Sequence, residues 1–276
     1  MPEFDFHGVS VAYDRAGSGD PILFLHNIGG DRRIWSHQMR ALAATNSVYA
    51  LDLFGYGESD IPTSGYTVDN YVRLLSEFVA DRGLQNITLV GNCFGSALSL
   101  FYARQETQRV RALVLCSPLT AATLRPTPTG WTAKAARHIR LDALAAATKV
   151  PTLAATWVVR EQLGPRGRHM DATAFAAFRD RWTEPRRLLA PAAIARDFDR
   201  LAALDDFRPT LAFPPITTIW GAKNRILSAT AGSALNRTLS PTRSLLLPDC
   251  GHLLMLEDPD TITAAIRSAT ASAIAS

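Results

Sequence analysis

The sequence predicts an α/β protein with a mostly parallel central sheet, flanking helices and an inserted helical cap. Three observations carry this. Short apolar runs alternate with helical stripes at both ends of the chain. The alternation stops after Pro118 and resumes near Pro214. The 276 residues, 47% of them apolar, suffice for one large core carrying an insertion.

The strand candidates, in order, are Val9 to Tyr13, Pro21 to His26, Ser47 to Asp52, Ile87 to Gly91, Val110 to Cys116, Ile216 to Trp220 and Arg243 to Leu247. Several are continuous apolar runs, as a sheet covered on both faces requires. Between them, Tyr71, Leu74, Leu75, Phe78 and Val79 form one apolar stripe at helical spacing that ends near Gly83. A second helix is expected over Phe94 to Arg104, and an amphipathic covering helix with a frayed end over Thr261 to Ser276.

Residues 1–118 and 211–276 therefore read as two parts of one core, and residues 119–210 as the cap. Within the cap, Phe175, Phe178 and Trp182 form an apolar stripe, while Pro126, Pro128, Gly164, Pro165, Gly167, Pro185 and Pro191 interrupt the pattern. The net charge of +4 is uneven: residues 119–210 hold 15 Lys and Arg against 9 Asp and Glu, or +6, and the rest 14 against 16, or −2. Such a basic segment is either a solvated helical surface or an attraction for an acidic partner. No nucleic-acid motif accompanies it.

Composition excludes other classes. There is no apolar run long enough to span a membrane and no signal-peptide pattern at Met1 to Asp5, so a cytoplasmic protein without membrane association is expected. Cys93, Cys116 and Cys250 are too few for a disulfide framework and lack the paired spacing of a thiolate metal site. No metal or redox cofactor is implied. Cys116 reads as a small core residue, and Cys250 as packing more than chemistry.

The chemistry starts from Thr88 to Ala97, where Cys93 lies between Gly91 and Gly95, two residues to either side. This spacing suits a sharp strand-to-helix turn whose central residue is held at strained backbone angles. A thiol there stands at a helix N-terminus, where unpaired N–H groups favour thiolate, making Cys93 a candidate nucleophile.

Four motifs then appear in sequence: His26 to Gly30, Asp52 to Asp60, Gly91 to Gly95, and Gly251-His252. In this order the chain resembles the α/β-hydrolase-fold superfamily over nearly its whole length; a dinucleotide-binding fold would instead want a GxGxxG turn. The resemblance implies Cys93 as nucleophile, His252 as general base, and backbone N–H groups of Phe94 and Ile28 as the oxyanion hole. It implies a structural role for His26 and a turn-building one for Asp52 to Asp60. The usual glycine after that histidine is replaced by Asn27, which tolerates left-handed angles. The acid position is occupied by Asn224, and Asp249 is the alternative acid, better read as a loop residue. In serine proteases Asp-to-Asn at this position costs about four orders of magnitude in turnover. A thiol that ionises near neutral pH depends less on the acid, as in Cys-His-Asn proteases. Trp131, Trp157 and Trp182 either line an acyl pocket or pack the cap.

The cysteine elbow is similar to the thioesterase-like aminoacyltransferases and acyltransferases of nonribosomal peptide and polyketide pathways. These move acyl groups between phosphopantetheine thiols of acidic carrier proteins. The resemblance therefore implies acyl transfer through a Cys93 thioester, with phosphopantetheine present only on an acyl or aminoacyl carrier protein partner. A cysteine ester or thioester hydrolase or cyclising thioesterase, and a small-molecule binder that kept the fold, remain the alternatives. Dehalogenase and epoxide hydrolase chemistry is disfavoured, since such relatives place Asp at position 93.

Overall fold

The computed structural model describes residues 2–124, 148–170 and 172–272. An eight-stranded sheet runs β1(Glu3–Phe6), β2(Val9–Ala16), β4(Ser47–Leu51), β3(Pro21–Leu25), β5(Ile87–Asn92), β6(Val110–Cys116), β7(Ile216–Gly221) and β8(Arg243–Leu247) across its width. β1/β2 and β2/β4 pair antiparallel and every later pair is parallel. The seven strands expected from the apolar runs all form. β1 was not anticipated: its four residues alternate, with Phe4 and Phe6 buried and Glu3 and Asp5 exposed, too short a pattern to stand out.

β4, β5 and β7 are buried at every position, which explains why their sequences are mostly apolar without alternation. One face carries α2(Val68–Asp81) and α3(Phe94–Gln105), whose Tyr71, Leu74, Phe78, Phe94 and Leu98 join one core cluster. The other carries α1(Ser36–Leu42) and, near the C-terminus, α9(Leu254–Glu257) and α10(Pro259–Ser272), packed with Phe24, Trp35 and Val114. The last helix starts two residues before the expected Thr261; residues 273–276 lie outside the described residues.

Between β6 and β7 the described residues form α4(Thr152–Gln162), α5(Ala172–Thr183), α6(Leu189–Arg196) and α7(Phe198–Ala202). Phe175, Phe178 and Trp182 pack against the α1-side core as their helical spacing requires. Pro191 does not interrupt a helix as expected: it sits in the first turn of α6, where a missing N–H is harmless. Pro126, Pro128 and Trp131 lie outside the described residues. α8(Ala229–Leu239) follows β7, N-capped by Ser228 through the Ala231 N–H.

Candidate functional site

β5 ends at Asn92 and α3 begins at Phe94, so the chain reverses at Cys93, whose φ of 52° and ψ of −109° mark strained backbone. The flanking glycines are required by contact: a Cβ on Gly91 would lie 2.4 Å from the Gly95 carbonyl carbon, and one on Gly95 would lie 2.3 Å from the Leu25 carbonyl oxygen. Cys93 N–H donates to the Cys116 carbonyl at 2.9 Å, fixing the elbow to the neighbouring strand.

The backbone N–H groups of Phe94 and Ile28, the two expected oxyanion-hole donors, lie beside the Cys93 sulfur and act on it in the direction of thiolate. Burial outweighs them and pushes the thiol pKa up from 9.0 to about 12, with the residue only 4% exposed. The helix N-terminus does not produce a thiolate near neutral pH as the sequence led us to expect; desolvation wins.

The loop reaching Ile28 departs from expectation in one detail. Asn27 is absent from the positive-φ positions and Gly29 takes that role at 89°, while the Asn27 amide donates to the Ile28 carbonyl at 3.1 Å and to Gln162 Oε1 at 2.9 Å. His26 sits beneath, its Nδ1–H donating to the Asn27 carbonyl at 2.8 Å and its Nε2 accepting the Leu53 N–H at 3.0 Å. Burial lowers its pKa, so the ring is a neutral brace.

His252 follows β8 and is buried. Its N–H donates to the Gln162 carbonyl at 2.7 Å, and its carbonyl accepts from Asn92 Nδ2 at 3.0 Å, which ties it to the residue preceding the thiol. Asn224 Nδ2 lies 3.1 Å from His252 Nδ1 and 3.2 Å from Ser117 Oγ. The orientation of this amide is set by its oxygen, which accepts the N–H groups of Ile226 and Leu227 at 2.9 Å each. Asn224 consequently donates to Nδ1 and leaves the ring proton on Nε2, the reverse of what a carboxylate imposes. The Asn224 of a papain-like arrangement would accept instead; here its acceptor is already occupied. Burial also draws the His252 pKa down from 6.5 to about 3. Thiol and imidazole both rest neutral.

Several residues around this group carry no local sequence signal. Gln162, Ser117 and Asn92 join the site through hydrogen bonds that span 135, 107 and 160 positions. The Glu257 carboxylate accepts the N–H groups of Gly164 at 2.8 Å and Gly251 at 2.9 Å, which clamps the cap to the histidine loop. The Tyr56 hydroxyl is buried with no partner among the described residues, and its ring meets His26 edge-on at 5.1 Å between centroids. Buried Asp52 is engaged by Arg32, whose backbone N–H donates to Oδ1 at 2.7 Å. Asp249 is exposed, and its backbone carbonyl accepts the Arg166 N–H at 3.3 Å. Cys116 and Cys250 are fully buried. Trp157 is 47% exposed, and Trp182 is partly buried against the core. Among the described residues there is no group of His, Cys, Asp and Glu suited to hold a metal, and no helix long and apolar enough to cross a membrane.

Comparison with known proteins gives the same architecture. A haloalkane dehalogenase of Agrobacterium fabrum is 35% identical over 112 residues, 41% of this chain and 37% of that protein, so the match spans little more than a third of its length. An acetyltransferase component of the acetoin cleaving system of Pseudomonas putida, a dihydrolipoyllysine-residue enzyme, is 26% identical over 88% of this chain and 61% of its own. Among solved structures, an esterase from Thermogutta terrifontis superposes with a TM-score of 0.81 at 22% identity, covering 98% of this chain and 97% of the other. Est816, an N-acyl homoserine lactone degrading enzyme, does so at 0.75 and 21%, covering 97% and 99%. At such identities these structures speak to the fold. The α/β hydrolase fold family profile matches residues 20–259, and the chain belongs to that family.

Proposed function

We propose that the protein transfers an acyl or aminoacyl group between thiols through a covalent Cys93 thioester, with a carrier-protein phosphopantetheine thiol as the donor. The carrying observation is Cys93 held at a strained turn directly before α3, with the Phe94 and Ile28 N–H groups beside its sulfur. A carbonyl oxygen developing charge during attack by Cys93 would take its stabilisation from those two donors. In the step itself the Cys93 sulfur bonds to the carbonyl carbon, the donor's carbon–sulfur bond breaks, and the Cys93 proton ends on the departing thiol. A second thiol reverses the sequence.

The Asn224–His252 arrangement favours transfer over hydrolysis. Water needs a base at Nε2, the atom that Asn224 keeps protonated, whereas exchange of one thioester for another is near balanced overall. The Nε2–H serves as a hydrogen-bond donor to the departing sulfur. A basic cap suits an acidic carrier.

A second reading, a binder that retained the fold, draws on the neutral resting state of both Cys93 and His252. Intact mass spectrometry separates the two. Incubation with an acyl-pantetheine or acylated carrier should add one acyl mass at Cys93, and a second free thiol should remove it. Release only as free acid would make the protein a hydrolase, and no adduct with any donor would make it a binder. A Cys93→Ser variant should be a poor substitute, because a hydroxyl requires the base that is missing.

A further inference from the structure

A cavity of about 910 Å³ lies between the cap and the loop after β7, a volume within the range of small-molecule sites. Five cations line it: Arg160, Arg168 and Arg179 from the cap, with Lys223 and Arg225 from the loop that also carries Asn224. Arg225 is paired with Glu161 at 3.3 Å and Arg179 with Asp180 at 2.7 Å. Among the described residues, Arg160, Arg168 and Lys223 have no carboxylate within ion-pair distance. The same walls hold apolar surface from Leu163, Met170 and Phe175.

Like charges gathered without counter-charges repel, and a multiply charged anion relieves that repulsion while gaining charge-assisted hydrogen bonds. We propose that this cavity binds the phosphate-bearing portion of the thioester substrate, its apolar wall accommodating the chain that links phosphate to sulfur. The concave shape suits a slender phosphate ester better than a protein face or a nucleic acid strand. Asn224 forms part of the wall and touches the His252 ring at Nδ1, so the cavity adjoins the histidine of the candidate site. The proposal rests on the acyl-transfer reading for the identity of the arm; the anion site stands on the cations alone.

Titration calorimetry on Cys93→Ala protein, where no chemistry intervenes, tests it with 4′-phosphopantetheine against pantetheine. The phosphate form should bind at least about tenfold tighter, weaken with added salt, and lose that advantage in Arg168→Gln/Lys223→Gln. Because both positions are exposed, the variant should fold, and the wild-type comparison is decisive without it. Equal binding of the two compounds, or an unaltered preference in the variant, overturns the proposal. Coenzyme A binding tighter than phosphopantetheine would identify a free nucleotide-bearing thiol as the source; equal binding would identify a carrier-borne arm. Phosphate preference with no acyl adduct on Cys93 would retain the cavity and reject the transfer reading. An adduct from acyl-pantetheine with no phosphate preference would do the reverse.

Discussion

With its carbonyl oxygen held by the N–H groups of Ile226 and Leu227, the Asn224 side chain can offer the imidazole only hydrogen. An Asp at this position would keep those two N–H bonds with one oxygen and turn the other to Nδ1, accepting a proton there and freeing Nε2 as a base. The two states have different pH signatures. In the wild type, alkylation of Cys93 by iodoacetamide should rise about tenfold per pH unit from about pH 6 to 9, since the neutral thiol ionises only near pH 12. In Asn224→Asp a plateau from a thiolate–imidazolium pair should appear, with release of free acid from an acyl thioester faster by about two to four orders of magnitude. A wild-type plateau across that range would contradict the inverted amide. At this scale the motifs at residues 26–30, 91–95 and 251–252 pointed to Ile28, Cys93, Phe94 and His252, and the run after Trp220 pointed to Asn224. The direction of the Asn224 amide was not, because it depends on which backbone N–H groups two and three residues later turn toward it.

At the scale of elements, the C-terminus of α4 is the junction between cap and site. The Gln162 carbonyl accepts from His252, and its side chain accepts from Asn27 in the loop that supplies the Ile28 N–H. Gln162→Ala removes the second link and keeps the first. The change should lower the acylation rate by about tenfold with KM little altered, and cost about 1 kcal/mol of stability from one lost buried hydrogen bond. Parallel kinetics and urea unfolding check both; a KM effect alone would place Gln162 in substrate binding instead. Apolar periodicity revealed the strands that are buried on both faces, and α2 through its single stripe. It missed β1 at four residues. It could not place Gln162, whose partners His252 and Asn27 lie 90 and 135 residues away in the chain; tertiary contacts of that span leave no local trace.

For the whole molecule, the buried titratable groups shape stability against pH. His252 has a folded pKa of about 3, below its ordinary 6.5, so its contribution is complete above pH 6.5 and is lost as pH falls from there toward 3. Cys93 and Cys116 are raised from 9.0 to about 12; their contribution is complete below pH 9 and is lost as pH rises from there toward 12. Each group gives a limiting slope of about 1.4 kcal/mol per pH unit. Buried Glu257, raised by burial, acts in the opposite sense to His252 on the acid side, so the difference between variants is the sharper measurement. Denaturant midpoints of His252→Gln should decline less between pH 6.5 and 4 than those of the wild type, and those of Cys116→Ala less between pH 9 and 11. Identical curves would mean that these side chains are solvated in the folded protein. The overall α/β arrangement with its interruption after Pro118 could be read from sequence, since it follows from where apolar runs stop and resume. The pH behaviour could not, because burial of a particular ring or thiol is a property of the assembled layers.

The crossing of Gly164 and Gly251 binds all of this to one mechanical fact. A Cβ on Gly251 would stand 2.4 Å from the Gly164 nitrogen, and one on Gly164 would stand 2.5 Å from the Gly251 nitrogen, while Glu257 holds both backbones from below. The segment leaving α4 is thus riveted to the loop that presents the imidazole. Swinging that part of the cap outward would drag the ring with it and break its contact with Asn224. Any path to the buried thiol therefore has to open without hinging at this corner.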